Sequence, residues 1–490
     1  MEKKYIYESS ALPRPVLPDH PEWVALYYKA WELAFQNVDY IQKPGWKPQL
    51  TCMPGVGIVW QWDSCLMAFI TNYSNGTLSA LNNLDNLYRL QRPSDGYMSM
   101  AYRIEEEVPA YGSRINPPLL AWAEWESYLV SGDSERLARV IPHLEGCYEY
   151  IEQTHRRNCG LYWFEDPGSS GMDNSPRGGY HAIHKDGSDL CHIDLACQQA
   201  LSAKCIANIL QVLGDAEKAA YYLQEHTRIC QLINGRHWSE KVGFYFDFFI
   251  RTRPESKVKF LNSKTIAAGW ALVSDAAQGE RRERLIKHFY DPQEFCTPVP
   301  FASLSRDDPN YDSNGGYWLG SVWAPTNFAV IRGVAESGRE ELAREAAIRY
   351  LDAICRVERD PAYGSIWECY APEAIRPATA EEGELVRSDF VGWSGIAPIT
   401  MLIENIIGLR FNAKENQIIF RLTPGQLGGL ENMCFNGGKV SLVCTDYVPV
   451  DGGSILKINA EKPFTLVVRN NYSGYDKTFR IQPGIHQISV

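Results

Sequence analysis

The chain has 490 residues, 45% of them hydrophobic, enough to bury a large core and too apolar for a disordered chain. Its formal net charge of −11, with no dense Lys/Arg run, argues against nucleic-acid or anionic-membrane partners, since both surfaces repel an acidic protein. No apolar run reaches the roughly 18 residues of a membrane span, MEKKYIYESSALPRP lacks a signal-peptide core, and 13 scattered cysteines fit neither a disulfide framework nor a zinc site, which together predict a cytoplasmic protein with reduced thiols.

From the N-terminus, apolar residues recur at helical spacing over 21–40, then over 64–73, 76–91, 117–131, 134–154, 190–213, 215–234, 264–276, 280–290, 321–337, 339–356 and 394–408, about twelve helices in all. Stop signals such as VSGDSE and LGDAEK separate consecutive helices by short turns, which pairs them as hairpins. Arg281, Arg282 and Arg284 fall in one of these helices among alternating charges and predict a solvated face. No fixed repeat period is present, and the connections alternate between short turns and long Gly/Pro-rich excursions. Six hairpins can close on themselves into a toroid with long loops forming a funnel at one end; a plain helical bundle is the alternative.

After residue 408 the pattern changes to strict alternation, in LRFNAKENQIIFRL, KVSLVCTDY, SILKINA, FTLVVRN, KTFRIQ and HQISV, broken by Gly, Asn and Pro turns. The expectation is a mainly α protein with a helical domain over 1–408 and a small antiparallel, β-sandwich-like domain over 409–490 packed against it.

Four loop segments combine Trp, Tyr, Gly and a carboxylate: VWQWDS (59–64), GMDNSPR (171–177), DDPNYDSNGGYWLGSVWAPTN (307–327) and SIWECYAPE (365–373). Aromatic faces beside fixed polar groups suit a sugar, whose C–H patches stack on rings while its hydroxyls need hydrogen-bond partners. Cleaving a glycosidic bond takes two carboxyl groups, one protonated and one ionised. Asp173 and Glu368 form the best pair, both in aromatic, turn-rich loops where burial raises one pKa and hydrogen bonds hold the other charged. Taken alone, Asp173 reads equally as a turn former or helix cap, Asp63 as the N-cap of a helix from residue 64, and Trp60 and Trp62, two apart in an extended stretch, as core packing. His181, His184 and His192 with Asp186, Asp189 and Asp194 match no tight metal spacing, and Asp307, Asp308 and Asp312 lack EF-hand spacing, so neither a metal nor another cofactor is expected.

Together these segments resemble the inverting α-glycosidases of glycoside hydrolase family 63 and their mannosylglycerate and glucosylglycerate hydrolase relatives, with trehalase more distant; the likeness covers residues 50–408. WQWDS is similar to the motif lining the sugar subsite, SGMDNSPR to the loop of the general acid, GGYWLGSVWAPTN to a Gly-Tyr-Trp-Arg-Gly-Pro-Val-Trp run, and IWECY followed by GWSG to the loop of the general base. The resemblance implies an (α/α)6 barrel and a reaction with inversion, Asp173 protonating the leaving oxygen and Glu368 activating water across a gap of roughly 6.5–9.5 Å. It implies further that Trp60, Trp62 and Asp63 grip the glycone, that Asn116, Tyr317, Trp318 and Trp323 enclose it, and that Trp393 closes the floor. Leu319 and Ser321 depart from the Arg and Pro of that run, removing a cation that would face an anionic or polyhydroxy aglycone, and the trehalase signature Gln-Trp-Asp-Tyr-Pro-Asn is absent. A small carbohydrate is thus the expected partner. The rivals are a sugar epimerase or isomerase using His184 and His192, a phosphorylase, and a carbohydrate-binding protein without catalysis.

Overall fold

Which helices are wholly apolar and which carry one apolar stripe sets their place in the fold. The computed structural model describes residues 5–177, 187, 189–250, 259–423, 425–448, 453–470 and 475–490. Within these the helices are α1 (Pro21–Gln36), α2 (Gln61–Thr71), α3 (Leu81–Leu90), α4 (Leu120–Ser131), α5 (Ser134–Thr154), α6 (Ile193–Leu213), α7 (Ala216–Arg236), α8 (Trp270–Val273), α9 (Gly279–Phe289), α10 (Ala324–Glu336), α11 (Glu340–Arg359) and a π-type helix α12 (Ala397–Ile407). Short 3-10 turns, Ile266–Gly269 and Trp393–Ile396, lead into α8 and α12. No helix among the described residues is long and apolar enough to cross a membrane.

Every residue of α2 is buried, as are all of α10 except Glu336 and all of α12 except Asn405. The outer helices are amphipathic instead: α7 buries only Ala219, Tyr222, Ile229 and Ile233. The buried helices pack in succession, α2 on α4, α4 on α6, α6 on α8, α8 on α10, and α10 on the Trp393–Ile396 turn and α12, which return to α2. Outside them, α3 covers α2, α5 covers α4 and α6, α7 covers α6, and α11 covers α10 and α12. The stop signals work as the sequence predicts. Gly132 and Gly214 end α4 and α6 in the left-handed conformation, and the next residues, Asp133 and Asp215, cap α5 and α7 by accepting from the amides of Arg136 and Lys218.

The C-terminal strands form two sheets, and they depart from the expected pattern twice. In the first sheet Gly428–Phe435, Gly438–Val448, Gly453–Ala460 and Gly484–Ser489 run antiparallel, and the N-terminal strand Arg14–Val16 completes its edge by pairing with Gly429, Leu430 and Glu431. In the second, Gln417–Leu422 pairs with Leu409–Asn412 antiparallel but with Phe464–Asn470 parallel, and Tyr475–Ile481 closes the row. The parallel pair arises because the chain crosses through the first sheet between its two strands, so it re-enters in the same direction. A charge network ties this region to the helices: the buried Arg332 guanidinium on α10 donates to Glu126 of α4 (2.9 Å) and Glu404 of α12 (2.5 Å), and the partly exposed Arg410, in the first C-terminal strand, donates to Glu404 (2.7 Å). Removing one member would leave a buried charge without its partner, which costs about 3–5 kcal/mol.

Candidate active site

The loops before the buried helices converge on a cavity of about 420 Å³, in the range of small-ligand sites. Asp173, Glu368, Asp63, Asn116, Trp60, Trp62, Tyr317, Trp318, Trp323 and Trp393 all line it. Two carboxyl groups far apart in sequence therefore face one space, with a third, Asp63, beside them.

Trp60 and Trp62 reach the cavity by a different route from the expected extended stretch. Strand Ile58–Trp60 ends at Trp60, and α2 starts at Gln61. Asp63 consequently lies in the first turn of α2 and is not its N-cap, which is Trp60. A carboxylate there faces the positive end of the helix dipole. Burial pushes the Asp63 carboxyl up to about 7; the Cys52 thiol, donating to Oδ1 at 3.3 Å, pulls it back, and the charges of Glu368 and Asp173 push it up again. Cys52 fits only because residue 392 is glycine, where a Cβ would lie 1.7 Å from its sulfur.

An aromatic wall surrounds these acids. Trp318 and Trp323 stack with ring centroids 4.2 Å apart and planes 1° from parallel, Trp62 lies 6.3 Å from Trp318 and 5.8 Å from Trp393, and Trp393 is 5.8 Å from Trp323. At the rim, Trp60 and the exposed Tyr111 sit 5.3 Å apart. Tyr317 has a left-handed backbone (φ 63°), a conformation that costs a non-glycine residue about 1–3 kcal/mol. Three contacts hold it there: its N–H donates to Thr379 O, its carbonyl accepts from Trp323 Nε1, and its Oη donates to Glu368 Oε1 at 3.1 Å.

Glu368 is buried, which raises its carboxyl above the usual range; the bond from Tyr317 and the neighbouring Arg387 pull the other way. The Arg387 amide also donates to Oε2 at 3.4 Å. Both Glu368 carboxyl oxygens therefore accept hydrogen bonds, which oppose the effect of burial. Its carbonyl accepts from Trp393 Nε1 and Ser394 Oγ, fixing the IWECY and GWSG segments to one another.

Asp173 is exposed in the turn that follows Pro167–Ser170, and its loop is anchored on both sides. Asp166 accepts from the Ser169 amide ahead of it and pairs with Arg114 at 2.5 Å. Asn116 Nδ2 donates to Ser169 O while Asn116 Oδ1 accepts from the Trp62 amide. Next to Asp173, Asn174 donates to Gly316 O (3.0 Å) and accepts from the Trp318 amide (2.8 Å), binding the loop to the aromatic wall. On the far side, the buried Arg177 forks between two carboxylates, donating to Asp194 twice at 2.7 Å and to Asp247 at 2.7 and 3.0 Å. Although burial opposes its charge, the Arg177 guanidinium holds Asp247 down at about 2.

Sequence reasoning passed over Cys52, Asn174 and Arg177. The last two stood inside GMDNSPR, where a polar residue beside a candidate acid is the available signal; Cys52 meets residue 392 only through the fold. Of the histidines in the rival reading, His192 is buried, does not line the cavity and accepts at Nδ1 from the Phe164 amide at 3.0 Å. His181, His184 and Asp186 lie outside the described residues. Asp307 pairs with Lys264, and Asp308 and Asp312 accept from Asn310 and Asn314 as turn formers. Among the described residues no group of three or more His, Cys, Asp or Glu side chains could hold a metal ion.

A family model, the mannosylglycerate hydrolase MGH1-like glycoside hydrolase domain, matches residues 58–382. The chain belongs to this family and is a glycoside hydrolase. It is 28% identical over 432 residues to an uncharacterized protein of Borreliella burgdorferi, covering 86% of each chain. With the mannosyl-oligosaccharide glucosidase of Saccharomyces cerevisiae it shares 25% identity over 315 residues, covering 61% of this chain and 35% of the glucosidase. The chain thus spans about a third of the yeast glucosidases it matches. In fold it is similar to the family 63 mannosylglycerate hydrolase from Thermus thermophilus in complex with glucose, with TM-score 0.61 and 19% identity over 77% of this chain and 100% of that one.

Proposed function

We propose that the chain is an exo-acting α-glycosidase that hydrolyses a small α-glucoside or α-mannoside, an oligosaccharide or glycosylglycerate, with inversion. The buried helices are read as the inner ring of an (α/α)6 barrel ending near residue 408, with the sheets of 409–490 as a supporting domain, and the thirteen free cysteines favour a cytoplasmic setting. The observation that carries the proposal is the shared cavity: Asp173 and Glu368 line one aromatic-walled space, and Glu368 accepts from Tyr317 inside it.

In this mechanism Asp173 is the general acid. It delivers a proton to the departing glycosidic oxygen from the wall of the cavity. Glu368, its oxygens held by Tyr317 and the Arg387 amide, removes a proton from the attacking water. Asp63 accepts from glycone hydroxyls, and the rings of Trp62, Trp318, Trp323 and Trp393 take the C–H faces of the sugar.

The test is a panel of aryl α-glucosides and α-mannosides, glycosylglycerates and α-linked disaccharides, with the first-released anomer followed by NMR. The expected product is the β-anomer, and Asp173→Asn and Glu368→Gln are each expected to lower kcat about 10²–10⁴-fold with circular dichroism unchanged. First release of the α-anomer would overturn inversion, and near-normal turnover in either variant would remove that residue from its role.

A further inference from the structure

Two cysteines outside the cavity are placed for chemistry that sugar cleavage does not use. Cys159 is half-buried in the turn between Arg156 and Tyr162, which face each other across an isolated β-bridge. Cys191 is buried in the two-residue strand Leu190–Cys191, paired antiparallel with Phe248–Phe249. Their sulfurs are 3.6 Å apart, the one pair of thiols in contact among the described residues.

The two thiols stand in unequal surroundings. Cys159 opens onto a basin of about 860 Å³ that Arg156, Arg236 and Lys259 also line. The contact with Cys191, helped by the Leu161 amide and the charge of Arg236, draws the Cys159 thiol below the ordinary range, whereas Cys191 is pushed up by that same contact and by burial. Cys159 is half-buried and lines the basin, while Cys191 is buried behind it within reach of its sulfur, the placement that an accessible thiol and a resolving partner need.

We propose that Cys159 and Cys191 are a dithiol that a hydroperoxide closes into a disulfide, Cys159 reacting first. The Cys159 thiolate attacks one peroxide oxygen, the O–O bond breaks, and hydroxide leaves and is protonated to water. The Cys191 sulfur then attacks the sulfenic sulfur of Cys159; the S–S bond forms, the S–O bond breaks, and the proton of Cys191 leaves with the hydroxyl as a second water. Two thiols lose two electrons and the peroxide takes up two, so the step balances with the peroxide as its oxidant. The bond would join the 156–162 turn to the strand that leads into α6, three residues ahead of Asp194.

The experiment treats the full-length protein with hydrogen peroxide at stoichiometric amounts, then reads intact mass, free thiols in denaturant and a peptide map. The expected result is a loss of about 2 Da, two fewer free thiols than the 13 of the reduced chain, and a crosslinked peptide joining Cys159 to Cys191, all reversed by dithiothreitol. Cys191→Ser is expected to leave a sulfenic acid that dimedone captures at Cys159. In Cys159→Ser, a substitution in a half-buried turn that spares the core, Cys191 is expected to remain reduced. Accumulation of sulfinic acid at Cys159 beside a free Cys191 in the unaltered protein, or a full complement of free thiols after treatment, would overturn the proposal. None of these readouts depends on glycosidase activity, so failure here leaves the proposed function untouched, and the reverse.

Discussion

Tyr317 Oη donates to Glu368 Oε1 at 3.1 Å from a backbone held in the left-handed region. That bond favours the ionised carboxylate, while burial favours the neutral acid and wins, leaving Glu368 above the usual carboxylate range. If Glu368 must be ionised to activate water, activity disappears as pH falls through its raised pKa, so the acid limb of kcat/KM is expected above the range of an exposed glutamate. Tyr317→Phe removes a hydrogen bond to the charged form and is expected to move that limb to still higher pH, with the alkaline limb in place. Arg387→Ala should move it the same way, since the Arg387 charge also lowers Glu368. Measured pH profiles of the three proteins check the order; a limb that stays fixed in both variants would separate Glu368 from the titration.

Asp63 gives a prediction about stability. Its folded-state carboxyl sits at about 7 against a reference of 3.8. Between these values the folded protein holds a proton that the unfolded chain has released, so stability falls as pH rises from about 4 to 7 and stays lower above it. The full difference corresponds to at most about 4 kcal/mol. Asp63→Asn removes the titration and is expected to raise Tm at pH 8 while changing it little at pH 5. Calorimetry at the two values checks the sign, and if Asp63 grips the glycone, kcat/KM of the same variant is expected to fall because one of its two acceptor oxygens becomes an NH2 donor.

Gly171 has no alternative residue. A Cβ there would lie 1.8 Å from Cζ3 of Trp62, and its backbone is left-handed at φ 77°. The neighbours are a buried indole and the loop that bears Asp173, so one of them must move. Gly171→Ala is expected to cost about 1–3 kcal/mol and to lower kcat at least tenfold, read by thermal denaturation and by turnover of an alkyl glycoside. Activity within threefold of the parent would show that loop and indole are not jointly constrained.

Much of this was legible before coordinates. Helices bury residues every three or four positions, and that local period marked a helical element in each of the twelve segments, though the helix expected over 76–91 begins only at Leu81 and the one expected over 264–276 is a 3-10 turn followed by the four-residue α8. The aromatic and carboxylate loops were legible as a set, since four segments combining Trp, Tyr, Gly and a carboxylate stand in one chain, although each residue taken alone also reads as a turn former, a cap or core packing. What escaped depends on distance along the chain. Cys52 meets Gly392, Arg14–Val16 joins the strand at 428–435, and Gln417–Leu422 pairs in parallel with Phe464–Asn470; periodicity is silent on such partners. The step from strand to helix at Trp60 and Gln61 was also hidden, because alternating tryptophans suit a strand as well as a helix start.

Arg177 supplies the sharpest test of the acid loop. Its guanidinium makes four charge-assisted bonds, two to Asp194 and two to Asp247, all at 3.0 Å or less and all buried. A lysine keeps the charge but cannot fork between two carboxylates, so Arg177→Lys should loosen the segment four residues beyond Asp173 without emptying the site. If Arg177 positions the acid, the loss must depend on how much protonation the leaving group needs. Alkyl glycosides, whose oxygen must be protonated to depart, are expected to lose about 10²-fold in kcat with little change in KM. Glycosyl fluorides and dinitrophenyl glycosides leave without a proton and are expected to keep most of their rate. A purely structural role would lower both classes together. Asp173→Asn run beside it separates the two ideas: if fluoride turnover collapses there as well, Asp173 is not the acid, whereas fluoride turnover retained in Asp173→Asn but lost in Arg177→Lys would show that Arg177 supports the whole cavity and not the acid alone.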